Sequence, residues 1–282
     1  MCYANSELHY RRMLLICRPV EGPNRMQAWQ RTIYLRDLLR ELIVRDFKVR
    51  YQRSLLGIGW SWLKPLAQLV VFLFLFGTVL PLDIPYYASF LFAGVLAWSW
   101  FGNAAAAAAT SITANPELVR RPGFPVRLLP VLVVMNEAIH FVLALPILLA
   151  VVAWEVGAPA ATLAVLPLVM IVQFVFTLSI AYGVAAAHVR FRDTQDAVGI
   201  ILMVAFYLTP VFYEPTKLHA GYALINRFNP MAVVINAYRD VLIARQWPDF
   251  AGLFAVLLLS GLLMAVCMWF FNRQSAGFVE EL

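Results

Sequence analysis

The chain has 282 residues, of which 62% are hydrophobic and only 13% charged. That balance excludes an ordinary soluble domain, whose core cannot absorb so much apolar side chain, and makes an all-α, multi-pass membrane protein the expected class. The net charge of +6 would point to nucleic acid in a soluble protein, but here the basic residues flank apolar runs as anchors and topology signals, so no nucleic-acid partner is expected.

At the N-terminus the longest apolar run is Met13 to Cys17, too short for a signal-peptide core, and no cleavage is expected. Cys2, Cys17 and Cys267 show no CxxC spacing and no clustered histidines, so neither a disulfide framework nor a metal site is indicated. Leu35, Leu38, Leu39, Leu42 and Ile43 recur at helical spacing, with Arg36, Asp37, Arg40 and Glu41 on the other face. Asp37–Arg40 and Glu41–Arg45 are spaced to pair along such a helix. It would lie along a membrane surface or fold as a small helix against another part of the protein. From Phe47 to Tyr51 the apolar residues alternate, which leaves helix and strand both open.

The basic segment from Arg45 runs through Trp60 and Trp62 to Lys64 and then becomes apolar without a break. This divides the chain into a cytoplasmic region, 1–64, and a transmembrane region, 65–282. Six apolar runs approach the ~20 residues that cross a ~30 Å hydrocarbon layer: Pro65–Leu82, Ala88–Thr113, Leu128–Trp154, Thr162–Ala187, Ala197–Phe212 and Phe250–Phe271. The fifth is short and extends back to Thr194 or ends in a broken helix. Eighteen of the 22 Lys and Arg residues fall on one side of these runs, leaving Lys217, Arg227, Arg239 and Arg245 on the other. Both termini are therefore expected in the cytoplasm.

Trp60, Trp62, Tyr86 and Tyr87 stand at span ends, as belt residues do. Trp98, Trp100 and Phe101 lie ~15 Å inside the second run at helical rise. They could offer flat faces to sugar rings in a channel, or pack against lipid and neighbouring helices. The alanines that follow permit close helix approach. Asn115-Pro116-Glu117-Leu118-Val119-Arg120 reads as a short helix with Asn115 as N-cap, closed by Pro122-Gly123. It would either pass motion from a partner protein into the membrane or simply connect two spans. Glu137 and His140 share one face of the third run beside Asn136, as a polar lining or as a satisfied cluster that pairs internally. Tyr213 to Pro248 is long and partly apolar, with a helix start at Asn229-Pro230, and reads as short helices in or dipping into the outer interface.

No G-x-x-x-x-G-K-[ST], H-E-x-x-H or G-x-S-x-G pattern occurs. The chain is therefore expected not to be an enzyme, and any ATP must be hydrolysed by another chain.

Several segments resemble one family when taken together: Arg45-Asp46-Phe47-Lys48-Val49-Arg50-Tyr51 followed by Ser54, Leu55, Gly57, Trp60 and Pro65; Phe191-Arg192-Asp193; Thr209-Pro210-Val211-Phe212-Tyr213; and Asn229-Pro230 followed by Arg239. From about Leu35 onward the chain resembles the membrane subunits of ABC-type polysaccharide exporters, which include O-antigen, capsule and teichoic-acid permeases. The resemblance implies a homodimer in the bacterial inner membrane, with about six transmembrane helices per chain, an amphipathic interface helix near Leu35–Ile43 and re-entrant outer helices after Tyr213. It implies two copies of a separate ATPase, which bind ATP and Mg, docked on a coupling helix at Asn115–Arg120. The cargo would be a lipid-linked glycan, with Arg45, Lys48, Arg50 and Arg53 receiving its pyrophosphate head group or serving only as anchors. Trp98, Trp100, Phe101, Phe212 and Tyr213 become candidate glycan contacts. The same general architecture also serves ABC permeases for small hydrophobic drugs or lipids, and an ion-coupled transporter using Glu137 and His140 is a third reading.

Overall fold

A computed structural model describes residues 28–51, 57–76, 84–158, 160–214 and 228–274. Among the described residues all regular structure is helical: α1 (Ala28–Tyr51), α2 (Trp60–Phe74), α3 (Tyr87–Thr110), α4 (Pro116–Val119), α5 (Leu128–Glu155), α6 (Leu166–Arg190), α7 (Thr194–Leu208), α8 (Pro230–Arg239) and α9 (Phe250–Gln274). The described residues fall into two units, with the boundary between Arg45 and Asp46.

In the first unit α1 carries Leu38 and Leu42 buried one turn apart, with Arg36, Asp37 and Arg40 exposed. Asp37 pairs with Arg36 at 3.0 Å rather than with Arg40, and both side chains are exposed enough for the pair to contribute little. α1 continues through Phe47 and Tyr51, so the alternating stretch is helical. Period-2 spacing over five residues is too short to outweigh a helix already propagating into it.

In the second unit α3, α5, α6 and α9 are long and apolar enough to cross a membrane, while α7 and the stretch Pro65–Phe74 of α2 are shorter apolar helices. All six apolar runs of the sequence thus contain a helix, four of them of full length. α3 is the hub and touches α2, α5, α6, α7 and α8, whereas α9 packs mainly on α6. In lipid there is no hydrophobic drive between helices, so packing, small residues and polar bonds must hold them. α3 meets that need with Ala104, Ala105, Ala108 and Ala109, all essentially buried. The buried Gln173 side chain of α6 adds a 2.8 Å bond to the Ala97 carbonyl. At Gly183 of α6 an added Cβ would stand 2.9 Å from Cys267 Sγ of α9, so a larger residue there would force these two helices apart.

α8 has 10 residues, ~15 Å at helical rise, and cannot cross the layer. It nevertheless buries Met231, Val234, Ile235 and Tyr238 against the bundle. Asn229 starts it as expected, its side-chain oxygen accepting from the amides of Met231 and Ala232 at 3.0 and 3.4 Å.

Candidate functional site: an aromatic face and a buried arginine

The candidate aromatic residues separate into two groups. Trp98, Trp100 and Phe101 are all buried, and each turns to a different helix. Trp100 packs on Phe141 of α5 with centroids 5.1 Å apart, and Phe101 stacks on Phe176 of α6 at 5.5 Å. These two rings hold the hub together. Trp98 instead meets Phe206 of α7 edge-on at 5.8 Å, and Phe206 belongs to a continuous aromatic group.

That group joins α2 to the end of α7. Phe212 stacks on Phe76 at 5.3 Å and on Phe72 at 6.0 Å. Tyr213 and Tyr207 meet it edge-on at 5.2 and 6.1 Å. Phe72, Phe206, Phe212 and Tyr213 are half-buried, so part of each ring remains open. Sequence placed Phe212 and Tyr213 among the candidates but missed Phe72, Phe76 and Phe206, whose only linear signal was membership of an apolar run. The neighbouring α7 has no buried residue, although it is 15 residues of apolar helix. Ile200, Ile201, Met203 and Tyr207 are each about 60% exposed.

Two segments singled out in the sequence, Thr209–Tyr213 and Asn229–Arg239, meet in space. The Asn229 side-chain amide donates to Thr209 Oγ1 at 2.9 Å. Arg239 Nη2 donates to the Val211 carbonyl at 2.8 Å, and its Nε to the Phe90 carbonyl at 3.3 Å. The guanidinium lies 3.4 Å from the centroid of the Phe90 ring, a desolvated cation–π contact of about 2 kcal/mol. Tyr87 on α3 donates to the Phe212 carbonyl at 3.1 Å. Gly94 makes the approach possible, because a Cβ there would stand 2.6 Å from the Val211 oxygen and 2.9 Å from Arg239 Nη2. Arg239, Phe90, Glu214 and Asp240 also line an open cleft of ~260 Å³.

At the other end of the bundle, α4 is a single turn between α3 and α5. Leu118 and Val119 are buried, while Glu117 and Arg120 are exposed. Pro116 occupies the first helical position as expected, but the Asn115 side chain does not cap. Its amide donates back to the Ser111 carbonyl at 3.0 Å, and the Asn115 carbonyl accepts from Leu118 and Val119. The preceding helix end leaves carbonyls in need of donors, and Asn115 meets that need.

Glu137 and His140 find separate partners. Asn103 of α3 lies 3.5 Å from Glu137, and the His140 ring packs on Phe47 at 5.2 Å, beside an Asn136–Asp46 bond of 3.3 Å. Glu155 of the same helix accepts from the Ser89 amide at the start of α3, which fixes the opposite end of the bundle. Glu137 is ~27 Å along α5 from there, close to the far boundary of a ~30 Å layer rather than at its centre. Trp62, expected in an interfacial belt, donates to the Leu143 carbonyl of α5 at 2.8 Å. The neighbouring Val142 carbonyl has lost its helical donor to Pro146.

Of the basic candidates, Arg45 is half-exposed and Lys48 exposed on α1, one turn apart. Arg50 lies on the same helix, though its side chain is outside the described residues, as is all of Arg53.

Residues 37–243 match the model of the ABC-2 type transporter family. The chain is 32% identical over 250 residues to the O-antigen export system permease protein RfbA of Myxococcus xanthus, covering 88% of this chain and 96% of the relative. It is 30% identical over 259 residues to a protein of the same name from Klebsiella pneumoniae, with the same coverage. It is 24% identical over 204 residues to the polysialic acid transport protein KpsM of Escherichia coli, covering 71% of this chain and 78% of the relative. With its bundle of apolar helices and a family match running from α1 to the turn after α8, the chain belongs to the ABC-2 type transporter family of membrane subunits.

Proposed function

We propose that this chain is the permease subunit of an ATP-driven exporter that moves a lipid-linked polysaccharide, of O-antigen type, across the bacterial inner membrane. The observation that carries this reading is similarity to O-antigen export permeases over nearly the whole length of both chains. The permease works as a homodimer with both termini in the cytoplasm, and two ATPase subunits bind ATP and Mg and drive it. α4, with its exposed Glu117 and Arg120, receives their motion and passes it through the buried Leu118 and Val119 into α3 and α5.

The half-open aromatic group of Phe72, Phe206, Phe212 and Tyr213 forms the wall that the sugar rings pass, and Trp98 supports it from behind. Flat aromatic faces suit such a cargo because they contact many sugars without holding any one tightly. α7, apolar and unburied within its own subunit, faces the second copy. Arg45, Lys48, Arg50 and Arg53 gather the anionic pyrophosphate-lipid head group at the inner surface.

Deleting the gene and restoring it on a plasmid tests the reading. Loss and recovery of the surface glycan is the expected result; an intact glycan coat with altered drug tolerance would favour a permease for small hydrophobic compounds. Purified alone the chain is expected to hydrolyse no ATP, with hydrolysis appearing only when the partner ATPase is added. Full export by an E137Q/H140Q variant would separate this mechanism from ion-coupled transport.

A further inference from the structure

We infer that Arg239 is the positioning residue of the export path's aromatic wall: its guanidinium fastens the Val211–Phe212 turn to α3 and so sets where Phe212 stands. The inference rests on the reading of Phe212 as part of that path.

Arg239 is buried, yet its hydrogen bonds go to two main-chain carbonyls and the Asn236 side-chain oxygen rather than to a carboxylate. A cation withdrawn from water in this way is costly. What the burial provides is geometric. The planar guanidinium bonds two elements far apart in sequence, Phe90 on α3 and Val211 after α7, while its face covers the Phe90 ring. A guanidinium can do all of this at once because its donors form a rigid fork around a flat, weakly hydrated plane. Val211 immediately precedes Phe212, whose own carbonyl is held by Tyr87. Two adjacent carbonyls are therefore tied to α3 from one side, and the Phe212 ring is left to stack on Phe72 and Phe76. Gly94 is the third part of the fitting, because any Cβ there would push the Val211 carbonyl away. The turn itself, after the last residue of α7, has no helix ladder to hold it.

The test uses the full permease–ATPase complex in cells, in a C2S/C17S/C267S background with an E214C reporter at the end of the turn. Labelling of that cysteine by a membrane-impermeant maleimide, without ATP turnover, reports the turn's position. R239M removes every donor; G94A keeps the arginine but crowds the same carbonyl together with the Nη2 that donates to it. Both are expected to change the labelling rate by about threefold or more and to lower surface glycan about tenfold, with complex assembly unchanged. R239K, which keeps a charge and a donor to Val211 but loses the fork and the flat face, is expected to recover part of both readouts. Unchanged labelling in R239M or G94A, with the protein assembled, overturns the inference whatever export does. Altered labelling with full export in both R239M and F212A instead overturns the reading of the aromatic wall, and the inference with it.

Discussion

α3 and α7 are both apolar helices of one polypeptide, yet two-thirds of the most apolar stretch of α3 is buried within the subunit and no residue of α7 is. The contrast separates two jobs that composition alone cannot. α3 touches five other helices and carries small residues and divergent aromatics that fix them. α7 touches few, and its side chains are available to something outside the subunit. Overpacking α3 should therefore damage folding, whereas altering α7 should damage assembly and export while the subunit still folds.

The largest expected effect comes from Ala108→Leu. The site is fully buried, and the added bulk should cost about 1–3 kcal/mol or more, so folded protein recovered in mild detergent should fall sharply. Met203→Arg on the exposed face of α7 should leave the subunit's thermal unfolding nearly unchanged and abolish the dimer, read by size-exclusion with light scattering. Phe212→Ala should reduce surface glycan by about tenfold with assembly intact; reduced folding instead would move Phe212 from the wall to the core. Gln173→Leu should be the mildest, since losing the bond to the Ala97 carbonyl costs about 1 kcal/mol and is read as a small drop in melting temperature.

Local signals were legible in the sequence. Asn229-Pro230 announced a capped helix because a cap is settled within four residues, and the structure shows that cap. The apolar runs located the membrane helices because length and hydrophobicity decide them. Asn115 misled only about its side chain, which serves the preceding helix end instead.

What was hidden was long-range. Arg239 lies 28 residues from Val211 and 149 from Phe90, and no periodicity brings those together. Trp98, Trp100 and Phe101 look alike in the chain but diverge at ~100° per residue, so one reaches the aromatic face and two hold the hub. The exposure of α7 was illegible for a different reason. A lipid-facing, partner-facing or core-facing helix can carry the same apolar residues when the solvent is itself hydrocarbon.

On the proposed reading, α7 faces a second copy of the chain across the export path. Cysteines placed singly at Ile201 and Tyr207 in the C2S/C17S/C267S background, and at Leu258 and Leu262 of α9 for comparison, can be oxidised in native membranes and the cross-links read on a non-reducing gel. All four positions are exposed within the subunit. Covalent dimers are expected from the α7 positions and none from α9; dimers from α9 with none from α7 would overturn that placement.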